Sequence, residues 1–467
     1  MSAAAFQPAF APRPAPAPAA RPMAAPAPAR DDGRHRELKR ALFAYFWLLI
    51  LEGALRKWTF ESAANAFLVI RDPVVLWIYV LALRDRVFPL NFGMFWTGAL
   101  ASAGMALMFM QIFTDQLHPV VAAYGWRSYF LHLPLVFLLP KVLNFADLQK
   151  IGRWILIISI PMALLMAAQF ELSPDHILNK SSIENKLQII SASGHVRPPG
   201  TFSFITGPAQ FYPWVIAFLF AALSWRAAYP VWLRLGAAMC VVLVLPVSGS
   251  RMLVVNCLLV VVAATGFFRS EQIRRPLAFM LVLAAIALPV LSFTPVFKNS
   301  VEVFQERWSN AAESEGQGRG ALYGMTKRTA SDFTSIIDVI PETPLLGMGM
   351  GLGTNVGAKL TRSYVGFQLA ESEWPRLVQE TGAVFGLALI FTRLGLTIFL
   401  FVHAWRAFLD DNNILAWLMF AACAPLVLYG GTGQPTALGF MCFGAGLALA
   451  AAKNPTPSFR TVDQPWL

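Results

Sequence analysis

Ile151–Phe170 reads IGRWILIISIPMALLMAAQF. No charge follows Arg153 in this stretch, and twenty residues of α-helix rise about 30 Å, the thickness of a bilayer's hydrocarbon core. Similar runs recur along the chain. They are continuous rather than alternating, which argues for membrane helices and against a β-barrel. The composition agrees. Of 467 residues, 57% are hydrophobic and 13% charged, against about a quarter charged in soluble domains. The expected fold is therefore all-α, a polytopic helical membrane protein. The net charge of +11 follows from basic cytoplasmic turns and needs no nucleic-acid partner.

The ~20-residue criterion gives about twelve spans, near 41–56, 66–83, 93–113, 120–140, 151–170, 205–224, 231–249, 251–268, 277–296, 377–402, 413–429 and 433–452. Lys and Arg near the span ends set the orientation. Arg30, Arg34, Arg36, Lys39 and Arg40 place the N-terminus in the cytoplasm. Alternation then makes every inward turn basic, through Arg84, Lys141, Arg153, Arg234, Arg274, Arg406 and Lys453. Both termini are expected in the cytoplasm and the spans in a bacterial inner membrane. Residues 1–38, rich in Ala and Pro, read as a disordered tail without the apolar core of a signal peptide. Residues 39–452 form the membrane domain, and 453–467 a second tail. Cys240, Cys257, Cys423 and Cys442 all lie in apolar runs and read as buried free thiols.

Two outward loops are long, 171–204 and 297–376, and loops of this length usually serve function. The second is partly helical. LYGMTKRTASDFTSIIDVI (322–340) has helical apolar spacing, and PETPLLGMGMGLGT (341–354) breaks it. The first ends in GHVRPPGTFSF (194–204). There Arg197 is followed by two prolines that hold an extended backbone. A guanidinium fixed at headgroup level either grips a phosphate or snorkels to lipid. Arg251, in SGSRMLVV (248–255), opens an apolar helix beside Ser250, as a functional group or an interfacial anchor. Arg319, in EGQGRGALYGM (315–325), precedes a helix N-terminus. There it either shares an anion with the helix end or is a solvated loop charge. Glu371 and Glu373, in AESEWPRLVQETG (370–382), are each a general base for a sugar hydroxyl, a metal pair, or a partner for Arg362 or Arg376. GMGMGLG (347–353) lacks the strand and Gly-Lys-Ser ending of a nucleotide loop and reads as a turn against helices. Arg71–Asp72 reads as a helix-break salt bridge or a cavity lining. Glu52 and Arg127 are equally open, and His195 either hydrogen-bonds near Arg197 or is inert.

Three stretches together resemble the O-antigen ligase and Wzy-type polysaccharide polymerase superfamily, over about residues 150–450. RPPGTFSFITGPAQFY (197–212) is similar to its Arg-x-x-Gly-Thr-Phe segment, and SGSRMLVV to its Ser-x-Ser-Arg. GRGALYGM, PLLGMGMGLG and ESEWPRLVQETGAVFGLALI (318–390) follow the order of its long loop. The resemblance implies a GT-C-like fold and an inverting glycosyltransferase acting at the periplasmic face on undecaprenyl-diphosphate-linked glycan, with no metal or other cofactor. By position, Arg251 and Arg319 match its diphosphate arginines. Arg197, Ser250, Glu373 and Arg362 are expected to bind substrate. Glu371 falls where the ligases carry a histidine, which puts a carboxylate in place of an imidazole.

The expectation is a polymerase of exopolysaccharide or O-antigen units, with the lipid bilayer and chain-length regulator and flippase proteins as partners. A ligase transferring glycan to lipid A core or another acceptor is the alternative. A transporter or lipid flippase is the alternative of another class. It predicts paired ionisable groups near the midplane and an inverted repeat.

Overall fold

The computed structural model of the chain describes residues 35–64, 66–114, 117–181, 188–191, 194–224, 229–266, 271–314, 319–354, 356–357, 369–370 and 372–454. Among them there is no strand, only one isolated bridge between Ile190 and Val196. Both ends of the chain, 1–34 and 455–467, lie outside the described residues. The first helix begins at Arg36, slightly inside the expected tail.

The helices are α1 (Arg36–Ala54), α2 (Arg71–Arg84), α3 (Phe92–Phe113), α4 (Pro119–Phe130), α5 (Leu135–Val142) and α6 (Phe145–Glu171). They continue with α7 (Thr206–Ser224), α8 (Val231–Val247), α9 (Arg251–Thr265), α10 (Glu271–Ser292), α11 (Pro295–Ser314) and α12 (Ala321–Val339). The last four are α13 (Glu373–Thr381), α14 (Ala383–Asp411), α15 (Ile414–Tyr429) and α16 (Pro435–Lys453).

Six helical segments are long and apolar enough to cross a membrane: Ala66–Arg84, Phe92–Phe113, Phe145–Glu171, Thr206–Leu223, Ala383–Asp411 and Pro435–Lys453. Helices α8, α9 and α15 are apolar but shorter, and α10 and α11 form a pair bent by 103°. Each expected span falls on helix, with three differences. The span 120–140 is broken between α4 and α5, where Pro134 cannot donate to the ladder. The span at 377–402 starts only at Ala383, because Gly382 (φ 82) ends α13. The region after Ser292 does not drop into loop but turns into α11, whose buried stripe is Phe297, Ser300, Val303 and Ala311. A stripe with a polar opposite face suits a helix lying along a membrane surface.

Helices α7 and α16 form the centre, each 89% buried over its apolar window, whereas α3 and α14 show wide apolar faces. Small residues Gly444, Ala445, Gly446 and Ala448 line α16 and let neighbours approach closely. All four cysteines are buried free thiols, as expected.

Polar contacts gather at the two ends of the bundle. At one end Lys39 pairs with Asp147 at 2.8 Å, His35 meets Asp85 at 3.0 Å, and Asn454 donates to Leu143 O at 3.0 Å. At the other, Trp58 donates to Ile177 O at 3.0 Å, Gln169 to Gly200 O at 3.2 Å and Arg393 to Gly430 O at 2.7 Å. This second end carries the described parts of both long loops.

Candidate functional site

The stretch 194–204 is fastened to the bundle at nearly every residue. Arg197 N donates to Ile189 O at 2.9 Å, and Pro198 and Pro199 are buried. Gly200 N donates to Gln169 Oε1 at 2.8 Å, while Gly200 O accepts from Lys57 Nζ at 2.6 Å. Thr201 Oγ1 donates to Ile50 O at 2.8 Å, and Ser203 Oγ accepts from Arg56 Nη1 at 2.9 Å. Lys57 has no exposed surface, and burial pushes its amine down to about 7, so the group serves to hold this loop through its hydrogen bond. Arg197 is thereby set in a fixed place rather than left to snorkel.

What it meets is the reversal between α8 and α9. Ser250 caps α9 by accepting from Leu253 N at 3.4 Å, and Arg251 is the first residue of that helix. Arg307, from α11, donates through Nη1 to Gly249 O at 2.7 Å. A side chain on Gly249 would lie 3.5 Å from Arg307 Nη1 and 3.8 Å from Arg197 Cγ. Three arginines from three distant segments therefore converge over one turn. Burial, then the charges of Arg307 and Arg251, push the Arg197 guanidinium down to about 10. Neither Arg197 nor Arg307 has a carboxylate partner among the described residues, and Arg197 Nε is buried with no hydrogen-bond partner. Like charges gathered in this way repel one another, the more so where burial lowers the effective dielectric. A polyanion binding between them converts that repulsion into attraction.

Of the expected site residues, Arg197, Ser250 and Arg251 are brought together. Arg319 is exposed and reaches Tyr323, its guanidinium 5.3 Å from the ring centre and Nη1 3.4 Å from the hydroxyl. Among the described residues it makes no contact with the other arginines. Glu371 and Arg362 lie outside the described residues. Arg307 was absent from the sequence reading, although a signal was there. It falls on the buried stripe of α11, between Val303 and Ala311, where a charge is out of place.

Glu373 is 4% exposed and fully engaged. It accepts from Arg376 Nε at 3.1 Å, Arg393 Nη1 at 2.7 Å, Thr432 N at 3.0 Å and Thr432 Oγ1 at 2.6 Å. Its oxygens leave no room for a substrate hydroxyl. The ion-pair reading of this carboxylate is the one the geometry favours, and Arg376 is the partner.

Next to it, the glycine-rich turn wraps a buried carboxylate. Gly351 N and Gly353 N donate to Glu380 Oε2 and Oε1 at 2.8 and 2.9 Å, and Arg376 Nη1 reaches Oε1 at 3.2 Å. Successive backbone N–H groups of a glycine turn make an anion-binding concavity. Here the anion is the protein's own glutamate, so the loop is occupied internally rather than by a nucleotide.

A second buried network joins the ends of α1 and α2 to α4. Arg71 and Asp72 do not pair with each other. Arg71 Nε donates to Glu52 Oε2 at 2.9 Å, and its Nη2 to Pro435 O. Asp72 accepts from Arg127 Nε and Nη2 at 2.6 and 2.7 Å, and lies 3.0 Å from His132 Nε2. His132 Nδ1 meets Tyr45 Oη at 2.9 Å. His195 is remote from this chemistry. It stacks on Phe170 with ring centres 4.4 Å apart, and its Nδ1 lies 3.1 Å from Phe170 O.

The described residues thus form an all-helical protein with six segments long and apolar enough to cross a membrane and three arginines converging on the α8–α9 turn. No family model matches the sequence, and no curated protein is significantly similar to it.

Proposed function

We propose that the protein is an integral-membrane glycosyltransferase that joins undecaprenyl-diphosphate-linked oligosaccharide units at the periplasmic face, as a polymerase of exopolysaccharide or O-antigen. The observation that carries this reading is the meeting of Arg197, Arg251 and Arg307 over the α8–α9 turn. A polyprenyl diphosphate is already an activated leaving group, so the enzyme's task is to neutralise the charge that grows on it. Three guanidiniums held by a fastened loop, a capped helix start and a surface helix do this without rearranging. The acceptor hydroxyl attacks the anomeric carbon as the bond to the diphosphate breaks. The electron pair leaves on the diphosphate and configuration inverts. The proton acceptor expected at Glu371 lies outside the described residues, and Arg319 remains a proposed second-phosphate contact from the same loop.

In this reading twelve helical passes cross the inner membrane in a GT-C-like arrangement. Helices α4 and α5 together make one pass, both termini are cytoplasmic, and the long loops are periplasmic. A flippase that delivers the donor and a chain-length regulator are its expected partners. A ligase that moves glycan to lipid A core would use the same diphosphate site. The Glu52–Arg71 and Asp72–Arg127–His132 network is the kind of feature a transporter or flippase carries. The sequence carries no internal repeat to accompany it, however, and a transporter of that kind is expected to have one.

Deleting the gene and running the surface polysaccharide on a gel tests the proposal. Short unpolymerised units support a polymerase, and lipid-linked polymer without a cap supports a ligase. Unchanged glycan with altered solute uptake would overturn both.

A further inference from the structure

At the end of the bundle away from the arginines, the last turns of α5, α14 and α16 leave a cleft of about 470 Å³, which Asn91 at the start of α3 also lines. Small-molecule sites run from about 300 to 1,000 Å³, so the space is large enough for a ligand. Helix α16 sets its distance from the arginines. The N-cap Gln434 accepts from Thr206 Oγ1 at 3.3 Å, close behind the loop that carries Arg197. The 19 residues of α16 then run about 28 Å to Lys453 in the cleft. That is about the thickness of a hydrocarbon core, so the two places belong to opposite leaflets.

The cleft is lined by charges of both signs. Lys141 comes from the last turn of α5, Arg406 from α14 and Lys453 from the end of α16, while Asp410 and Asp411 are the last two residues of α14. All five are exposed, and among the described residues none of them makes an ion pair. His403 lines the cleft as well, but its Nδ1 donates to Phe399 O at 2.9 Å. Cations at helix C-termini answer the helix dipole, which accounts for Lys141 and Lys453 as they stand. The dipole does not account for the aspartates, which sit at the negative end of α14 and are repelled by it. Beside the charges the wall is aromatic, with the Phe137 and Phe399 rings 6.4 Å apart. Trp96 Nε1 donates to Thr392 Oγ1 at 2.9 Å and holds α3 against α14, and both helices show exposed apolar side chains there, among them Phe92, Phe95 and Ile398.

A ligand matched to this lining carries an anion and a cation close together on an apolar body. A metal ion or a free phosphate answers only one of the two signs. We propose that the cleft binds the headgroup of an aminophospholipid of the phosphatidylethanolamine class. Its phosphate lies against Lys141, Arg406 and Lys453, its ammonium against Asp410 and Asp411, and its chains along the apolar faces of α3 and α14. The inference needs only a membrane-embedded chain and stands apart from the glycosyltransferase reading.

The test titrates delipidated full-length protein in detergent with phosphatidylethanolamine, phosphatidylglycerol and phosphatidylcholine of identical chains, and counts bound lipid by native mass spectrometry. Phosphatidylethanolamine is expected to bind about tenfold tighter than the other two. Phosphatidylglycerol lacks the cation, and the quaternary amine of phosphatidylcholine has no N–H to donate to a carboxylate. Asp410→Asn with Asp411→Asn is expected to erase the preference over phosphatidylglycerol, and Lys141→Gln with Lys453→Gln to weaken all three lipids about tenfold. Lipid-free melting temperatures equal to wild type check the fold, and the single variants Asp411→Asn and Lys141→Gln replace any pair that melts lower. Wild-type protein that binds the three lipids alike has only an unselective lipid coat. Tighter phosphatidylglycerol leaves the aspartates without a role, and aspartate variants with wild-type selectivity put the ammonium elsewhere. Each of these three results overturns the proposal.

Discussion

Replacing Arg197 by Gln has opposite consequences for the empty and the loaded protein. Holding this guanidinium down at about 10, well below its ordinary value, corresponds to about 3 kcal/mol of unfavourable charging. Because the group is only half-buried, solvent screening reduces that to roughly 1–2 kcal/mol. The sign follows from linkage. From about pH 10 up to the ordinary arginine range the unfolded chain holds the proton and the folded one does not, so stability rises with pH across that window. At pH 7 both hold it and the penalty is complete. Arg197→Gln removes the penalty, so the ligand-free protein keeps or raises its melting temperature. The same change deletes a charged contact to phosphate worth about 1.5–3 kcal/mol, or about 10- to 150-fold in affinity. Thermal melts in nanodiscs with and without undecaprenyl diphosphate read both effects at once. The expected result is an unchanged or higher midpoint without ligand and a lost ligand-induced rise. A variant that melts lower without ligand and keeps its rise would refute the argument, because Arg197 would then be a structural residue.

Arg251→Ala and Arg307→Ala are expected to abolish polymer on a surface-polysaccharide gel while the protein stays in the membrane. If Arg319→Ala abolishes it and Arg307→Ala does not, the diphosphate lies nearer the long loop than the α8–α9 turn. Glu373→Gln leaves Arg376 and Arg393 without their shared carboxylate, a loss of about 3–5 kcal/mol. It should show as a lower protein yield and melting temperature, and a well-folded variant with slow transfer would reinstate Glu373 at the substrate. Gly351→Ala drives a methyl to within 2.3 Å of Val121 O at a φ of 90°, and so should destabilise by more than about 2 kcal/mol. A melting temperature equal to wild type would show that the turn around Glu380 relaxes freely.

Much of the helical frame was legible because apolar runs are local, and a bilayer demands that each run satisfy its own backbone. The loop-end placement of Arg197, Ser250 and Arg251 followed from that frame and from the PPG and SGS breaks. Pairing was not legible. Arg71 and Asp72 are sequence neighbours, yet one turns to Glu52 on α1 and the other to Arg127 on α4, because the choice depends on how helices lie against one another. For the same reason Glu373 read as a substrate contact although Thr432, 59 positions away, fills it. The glycine turn looked like packing because its anion, Glu380, comes from another helix. Arg307 was the one omission with a local cue, a charge on the apolar stripe of an amphipathic helix.

A cryo-EM structure of the protein in nanodiscs saturated with undecaprenyl diphosphate tests the central claim most directly. Density for both phosphates should lie within hydrogen-bonding distance of at least two among Arg197, Arg251 and Arg307. Pyrophosphate density away from the α8–α9 turn, with those three guanidiniums untouched, would contradict it.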